Sequence, residues 1–328
     1  MGVKIVGTGS YAPSRILTNF DLEKMVETSD EWIITRTGIK ERHIAEKDEV
    51  TSDLAAKAAL KAIEMACLTP KDIDVMTVAS ISSDKVFPST ACLVQKKIGA
   101  SNAFCFDVQA ACSGLVYSLE IAHNMMKGNK KYKNYLVIGA EKITSLVDWT
   151  DRNTCVLFGD GASAILLQQT DDDKDFMLAT RLGSDGNYSE ILHIPAGGSA
   201  LPASHETIDQ KQHFIKMGGR EVFKLAVNSM VDSCIGTMQD AGINPSEVAW
   251  LIPHQANLRI LQAVAERLDI SDEKVYVNVT RYGNTSAASI GIALDELVRG
   301  GKVKEGDLIL ITAFGGGLTW GSCLFRWL

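Results

Sequence analysis

Phe106-Asp-Val-Gln-Ala-Ala-Cys112-Ser-Gly-Leu115 begins as an apolar strand and turns into a helix pattern that runs to Lys127-Gly128-Asn129, after which Tyr135-Leu-Val-Ile-Gly139 makes a second strand. Further along, Val277-Asn-Val, the turn Gly283-Asn-Thr-Ser-Ala-Ala-Ser289, a helix to Arg299-Gly-Gly301 and Asp307-Leu-Ile-Leu-Ile311 spell the same unit again. A second pair of segments repeats in the same order. Ala66-Cys-Leu-Thr-Pro70-Lys-Asp-Ile-Asp-Val-Met-Thr-Val78 resembles Ala241-Gly-Ile-Asn-Pro245-Ser-Glu-Val-Ala-Trp-Leu-Ile252, and both pairs are offset by roughly 170 to 175 residues. Short Val/Ile/Leu strands alternating with helix-length segments predict two similar α/β halves, each with a mostly parallel sheet.

In such sheets ligands bind outside the carboxyl ends of the strands. Cys112 and the Gly283-Asn284 turn are therefore expected at equivalent places, facing one pocket. Between the halves, Gln168-Gln-Thr-Asp-Asp-Asp-Lys-Asp175 reads as a polar turn. Residues 184–213, rich in Gly, Ser, Pro and His, read as a long surface excursion of the kind that carries function or covers a site.

The chain has 328 residues, 46% of them hydrophobic, enough to bury a large core in two domains or two fused halves. A net charge of -7 and the absence of a long basic run exclude the electrostatic footprint of a nucleic-acid-binding protein, so an anionic partner must be met by a local patch. Met1-Gly-Val-Lys-Ile-Val-Gly-Thr-Gly-Ser10 reads as a strand and turn, not a signal peptide, and no run of about 18 apolar residues exists. A soluble, cytoplasmic protein with no membrane partner is expected. The cysteines (67, 92, 105, 112, 155, 234, 323) are odd in number, scattered, and free of any Cys-x-x-Cys pair. They predict neither a disulfide framework nor a zinc site, and most should be small buried hydrophobes.

Cys112 is singled out by its place. The first N–H groups of a helix are unpaired and the macrodipole is positive there, so a thiolate is stabilised and its pKa is expected to fall. Three other segments also leave strand ends. Pro253-His254-Gln-Ala-Asn257 follows Trp250-Leu-Ile252, where a lone histidine is ordinarily structural. Tyr282-Gly-Asn284-Thr-Ser-Ala-Ala-Ser289 is, by itself, a turn signal. Ala313-Phe-Gly315-Gly316-Gly317-Leu-Thr-Trp-Gly321 reads either as a hairpin or as a backbone N–H brought close to a reacting oxygen.

Together these segments resemble the β-ketoacyl-acyl carrier protein synthase III family of the thiolase superfamily. Ala-Cys-Ser-Gly-Leu, Pro-His-Gln-Ala-Asn, Gly-Asn-Thr-Ser-Ala-Ala-Ser and the triple-glycine loop stand in the family's order and spacing. So do Trp32-Ile-Ile-Thr-Arg36-Thr37-Gly-Ile39, Phe87-Pro-Ser, Asp151-Arg152 and Phe158-Gly-Asp-Gly-Ala162, and the likeness runs from about residue 3 to the C-terminus. It implies a thiolase-like αβαβα fold of duplicated halves, residues 1–170 carrying the cysteine and 171–328 the histidine and asparagine.

The resemblance also implies a two-step reaction. The Cys112 thiolate attacks a short acyl-CoA, with acetyl-CoA the expected primer, and releases CoA. Malonyl-acyl carrier protein then loses carbon dioxide to give an enolate, which His254 and Asn284 stabilise as hydrogen-bond donors; Asn284 cannot move a proton, so its role is electrostatic. The oxyanion formed when the enolate attacks is assigned to the N–H groups of Cys112 and Gly316. CoA is a substrate, and neither cofactor nor metal is expected.

By the same resemblance Trp32, Arg36, Thr37 and Arg152 hold the nucleotide end of CoA, while Gly219, Phe223, Ala256 and Asn257 line the pantetheine tunnel. Ile143, Phe158 and Ile215 are acyl-pocket positions. Phe87 matches a residue that closes the pocket of a partner subunit, so a homodimer is implied. Arg220, Lys224, Arg259 and Arg267 are expected to form a basic face for the acidic carrier protein, although Glu266 stands where some relatives carry a basic residue.

A biosynthetic thiolase would need a second cysteine in a Cys-x-Gly near the C-terminus, where Gly315 to Gly317 stand instead. A polyketide or HMG-CoA synthase relative would use similar residues, but the chain length and the Trp32 to Ile39 segment favour the enzyme that starts fatty acids. A Cys-His-Asn thioester hydrolase must admit water to its acyl-enzyme and gives no reason for the duplication. A noncatalytic acyl-binding protein has no need of Cys112, His254 and Asn284 together. Primer length stays open, because one methylene is worth only about 1 to 3 kcal/mol.

Overall fold

The structure is a computed structural model that describes residues 1–328. Two mixed sheets carry it. The first runs in the order Gly2–Tyr11, Gly161–Thr170, Asn134–Glu141, Val75–Ala79, Phe104–Val108. The second runs Met177–Ser184, Thr319–Arg326, Leu308–Gly315, Trp250–Pro253. Each order begins with its half's first strand, then its last, then steps back toward the earlier ones, so the repeat read in the sequence is a repeat of topology.

Two corrections accompany that agreement. The sheets are mixed, but antiparallel pairs outnumber parallel ones. Each half ends on a strand that returns antiparallel, as when Leu308–Gly315 turns through the glycines into Thr319–Arg326. The predicted strand at Val277-Asn-Val does not form either. Only the single bridge Leu251 to Val275 remains. The N–H groups of Asn278 and Val279 go to the Gln255 side chain (2.8 and 3.1 Å) instead of to a ladder, and the chain coils into the helical turn Val279–Tyr282.

Helices Gly114–Gly128 and Ser289–Arg299 lie between the two sheets. Leu115, Leu119 and Met126 of the first, with Ile290, Leu294 and Leu297 of the second, share one core with Val137 and Ile165 of one sheet and Ile309 and Phe325 of the other. A helix covered on both sides buries more than one face, and the first turns of both, Gly114-Leu-Val116 and Ser289-Ile-Gly-Ile-Ala-Leu294, are buried without a break. Thr51–Met65 and Thr90–Ile98 cover the outer face of the first sheet, and Gly219–Ala241 and Leu258–Arg267 that of the second. The layers are helix, sheet, helix, sheet, helix. Central strands such as Tyr135-Leu-Val-Ile138 read as continuous apolar runs because both their faces are buried.

No helix is long and apolar enough to cross a membrane. All cysteines are free, and besides Cys112 only Cys155, Cys234 and Cys323 are buried. Cys67 and Cys92 are exposed and Cys105 is intermediate, so the expectation of mostly buried thiols holds for half of the others.

Candidate active site

Both central helices start at the same place. Each is preceded by a 3-10 turn, Ala111–Ser113 in one half and Ser286–Ala288 in the other. Each turn opens on a residue with positive φ, Ala111 at 45° and Ser286 at 49°. Left-handed backbone at a non-glycine residue is uncommon and marks a conformation fixed by its surroundings. The two turns pack together across Gly139, where a Cβ would lie 2.3 Å from the Ala287 carbonyl oxygen.

A cavity of about 550 Å³ opens at these turns, lined by 28 residues of which 18 are hydrophobic. Cys112, His254, Asn284 and Gly316 all line it. So do Gly219, Phe223, Ala256 and Asn257, and at its apolar end Ile143, Phe158 and Ile215. The excursion after Ser184 supplies Ser189, Leu192, His193 and Ile194, so it does cover the site.

Cys112 lies in the 3-10 turn just ahead of the α-helix and is 8% exposed. Burial pushes its thiol up to about 12; contact with the Ser286 hydroxyl pulls it down, the Glu141 charge pushes it up, and its own backbone N–H pulls it down again. Instead of the expected fall the shift is upward, because desolvation of the thiolate outweighs the pull of the Ser286 hydroxyl and of its own N–H. Gly315 is the point of closest approach of the glycine loop: a Cβ there would lie 2.6 Å from the Cys112 nitrogen.

His254 leaves the Trp250–Pro253 strand with its N–H bonded to the Thr312 carbonyl at 2.7 Å. Its Nδ1 lies 2.7 Å from the Ser289 hydroxyl, which also accepts the Gln255 N–H at 3.3 Å. A hydroxyl that accepts from Gln255 can give its proton to Nδ1, which places the ring hydrogen on Nε2. Burial lowers the imidazole pKa to about 3, so the ring is neutral at ordinary pH.

The Asn284 carboxamide is held by its oxygen, which accepts the Ser286 N–H at 2.9 Å. Its NH2 group is left for the cavity. Main-chain bonds from Asn284 N to Leu157 O and from Gly159 N to Asn284 O fix the segment beneath it. The buried Gln255 ties the histidine strand to the chain before Asn284, donating to Pro253 and Tyr276 carbonyls and accepting from Asn278 and Val279. Sequence reading missed Gln255, Ser286 and Ser289, although all three stand inside the motifs it quoted. It also missed Glu141, whose signal was a lone acid ending the apolar strand Asn134–Glu141.

Two guanidinium groups lie over the Trp32 ring, Arg152 at 4.8 Å and Arg36 at 5.7 Å from its centroid. The Thr37 hydroxyl is spent within the chain, donating to Ile33 O and accepting from Ile39 N. Asn257 caps helix Leu258–Arg267 and donates to Arg36 O at 3.1 Å, which links the tunnel to the Trp32 cluster. Arg220, Lys224, Arg259 and Arg267 are exposed on two adjacent helices, with Arg259 over the Phe223 ring and Arg267 bonded to Asn228. Phe87 is 84% exposed and does not line its own chain's cavity.

A five-layered duplicated fold with a buried cysteine at one central helix start, and with His and Asn delivered from the other half, is that of the thiolase-like condensing enzymes. Residues 106–186 match the family 3-oxoacyl-[acyl-carrier-protein (ACP)] synthase III, and residues 238–327 match its C-terminal counterpart. The chain is 52% identical over 323 residues to the beta-ketoacyl-[acyl-carrier-protein] synthase III of Caldanaerobacter subterraneus subsp. tengcongensis, covering 98% of this chain and 97% of that protein. The crystal structure of the Aquifex aeolicus VF5 3-oxoacyl-[acyl-carrier-protein] synthase III superposes with a TM-score of 0.91 at 52% identity, covering 99% of this chain and 100% of the other. The priming β-ketosynthase of the R1128 polyketide pathway gives the same TM-score of 0.91 at 32% identity, covering 99% and 96%. This chain belongs to the 3-oxoacyl-[acyl-carrier-protein] synthase III family of condensing acyltransferases.

Proposed function

We propose that this protein catalyses the decarboxylative condensation of a short acyl-CoA with malonyl-acyl carrier protein, giving 3-ketoacyl-acyl carrier protein, CoA and carbon dioxide and so initiating fatty acid synthesis. The observation that carries this reading is the convergence of one nucleophile and two neutral donors on one cavity. Cys112 sulfur attacks the thioester carbonyl and CoA leaves as the thiolate. The malonyl group then loses carbon dioxide. The enolate oxygen that develops is met by His254 Nε2–H and the Asn284 NH2, which is where fixed dipoles lower a barrier most. Attack of the enolate carbon on acyl-Cys112 releases the sulfur, with the oxyanion held by the N–H groups of Cys112 and Gly316.

His254 neutrality supports this division of labour. A neutral imidazole with its hydrogen on Nε2 is a donor that needs no titration, whereas a base would need a pKa nearer the working pH. The halves we assign are residues 1–170 and 171–328, since each sheet draws its strands from one side of that point. Exposed Phe87 supports a homodimer in which it closes the partner subunit's pocket. The basic residues Arg220, Lys224, Arg259 and Arg267 supply the face for the acidic carrier protein.

The test is incubation with a panel of acyl-CoAs and malonyl-acyl carrier protein, followed by mass spectrometry of Cys112 and of the product. Acyl-Cys112 together with a 3-ketoacyl carrier protein is expected. Free acid in place of condensed product would indicate a thioester hydrolase and overturn the proposal. A preference for primers that feed polyketide assembly would favour the function of the R1128 relative.

The Trp32, Arg36 and Arg152 cluster is suited to an adenine and phosphates, which stack on and pair with guanidinium groups. An Arg36→Ala, Arg152→Ala double variant is expected to raise the KM for acyl-CoA by about tenfold or more with kcat little changed, the signature of lost ground-state binding. Steady-state kinetics with varied acyl-CoA reads it, and an unchanged KM would remove the nucleotide from this cluster.

A further inference from the structure

We propose that Thr319 is a positioning residue that aligns the two main-chain donors of the oxyanion, Cys112 N–H from one half and Gly316 N–H from the other. This rests on the function proposed above, which places the oxyanion between those two groups. Thr319 opens the strand Thr319–Arg326, next to the triple-glycine loop, and lines the cavity. Its Oγ1 lies 2.7 Å from the Ser113 hydroxyl, 2.9 Å from the Ala110 carbonyl oxygen and 3.2 Å from the Gly316 carbonyl oxygen. The Ser113 hydroxyl is also 2.7 Å from Ala110 O, which accepts the Ser113 N–H as well at 3.1 Å. Two hydroxyl oxygens 2.7 Å apart need a hydrogen between them, and Ser113 can give it to Thr319. The Thr319 hydrogen then faces Ala110 O and Gly316 O. One threonine hydroxyl thus spans the cysteine turn and the glycine loop.

Both carbonyls sit one peptide unit from a donor. Ala110 O belongs to the unit before the one that carries the Cys112 N–H, and Gly316 O to the unit after the one that carries the Gly316 N–H. Among the turn and loop bonds of the main chain neither of these N–H groups is a donor. The glycine loop is boxed in on three sides. A Cβ on Gly315 would lie 2.6 Å from Cys112 N, one on Gly316 2.8 Å from Leu192 O, and one on Gly317 3.0 Å from Thr319 Cγ2. Its far end is tied by the reciprocal main-chain bonds of Leu318 and Asp185, both 2.9 Å. On the side of Cys112 the side-chain bond that reaches the loop is that of Thr319.

The other half supplies the comparison. Its turn Ser286–Ala288 has the same left-handed first residue, yet Ala288 stands where Ser113 does. Thr285 O, the counterpart of Ala110 O, takes the Ala288 N–H at 3.1 Å and no hydroxyl. The turn therefore forms without the clamp. Two hydroxyls are added only in the half that bears the nucleophile, which separates their purpose from that of shaping the backbone. The acyl carbonyl becomes an oxyanion when Cys112 attacks acyl-CoA and again when the enolate attacks acyl-Cys112, so both steps draw on the two N–H groups. Decarboxylation does not, because its enolate oxygen is met by His254 and Asn284. A donor misplaced by about 1 Å can cost about 10²-fold in rate. Loss of the Thr319 hydroxyl should therefore slow the two carbonyl additions and spare the loss of carbon dioxide.

The test compares Thr319→Val with the unaltered protein in two separate readings: acyl-Cys112 formation from acetyl-CoA, followed by mass spectrometry, and carbon dioxide release from malonyl-acyl carrier protein. Thr319→Val keeps the branched shape and removes the hydroxyl. It is expected to acylate about tenfold to 10²-fold more slowly at saturating acetyl-CoA, with KM and carbon dioxide release little changed. Thr319→Ser should recover most of the rate, since it restores the hydroxyl and omits only a methyl group. If Thr319→Val does not fold, Thr319→Ala takes its place with the same expected split. Acylation at the unaltered rate in a folded variant overturns the proposal. So does a loss shared equally by acylation and decarboxylation, the mark of a merely structural residue. An unaltered protein that neither takes up acetyl nor releases carbon dioxide would instead overturn the proposed condensation, and this inference with it.

Discussion

Cys112→Ala is expected to abolish uptake of the acyl group from acyl-CoA, with turnover down by about 10⁴-fold or more, because it removes the one thiol of the cavity and the hydroxyls that remain are far weaker nucleophiles. The cavity is lined by a single cysteine, and His254 and Asn284 are donors whose other atoms are already engaged. Folding should change little, since one buried sulfur is worth about 1 kcal/mol. Mass spectrometry after incubation with acyl-CoA checks the outcome, and an acylated Cys112→Ala protein would refute the nucleophile. Cys112→Ser is expected to behave alike: a buried hydroxyl is a far weaker nucleophile than a thiolate and gives up its proton less readily.

His254→Ala and Asn284→Ala should separate the two half-reactions. Each should leave acyl-Cys112 formation largely intact and cut decarboxylation and condensation by about 10² to 10³-fold, the usual cost of removing one oxyanion donor. Asn284→Asp is the sharper test. One carboxylate oxygen would keep the Ser286 N–H, while the other would turn a donor into a negative charge against the enolate. Its loss should equal or exceed that of Asn284→Ala, measured as carbon dioxide released from malonyl-acyl carrier protein. Retained condensation in any of the three would remove the electrostatic role.

The pH behaviour of His254 has a definite sign. Its pKa is lowered in the folded protein, so as pH falls below about 6.5 the unfolded chain binds a proton that the folded one refuses. Stability from this group is present above that value and is lost progressively toward pH 3. Glu141 runs the other way. Its pKa is raised, so its contribution is present below the ordinary carboxylate range and is lost as pH rises through about 7.

The duplication and the four site segments were legible because each rests on a pattern of period or punctuation: apolar strand, sharp turn, helix. Cys112, His254, Asn284 and the glycines all stand where a strand stops, and that is a local property of the chain. Strand direction was less legible, since Tyr135-Leu-Val-Ile138 reads the same whichever way its neighbour runs. Val277-Asn-Val looked like a strand, yet Gln255, more than 20 residues earlier, takes the N–H groups of Asn278 and Val279. The burial of Cys112 was not legible for a similar reason. Its helix start lies in the sequence, but the layers that exclude water from it are assembled from both halves.

The matched turns at Ala111 and Ser286 have one further consequence. In the second half, the seat that corresponds to Cys112 is held by Ala287, whose methyl group lies 3.7 Å from where a Cβ on Gly114 would stand and whose carbonyl presses on Gly139. A thiol grafted onto that residue would face packed backbone, with no opening for a substrate. The scaffold is thus symmetric while chemical competence is one-sided: the first half bears the reactive atom, and the second shapes the ground on which it acts.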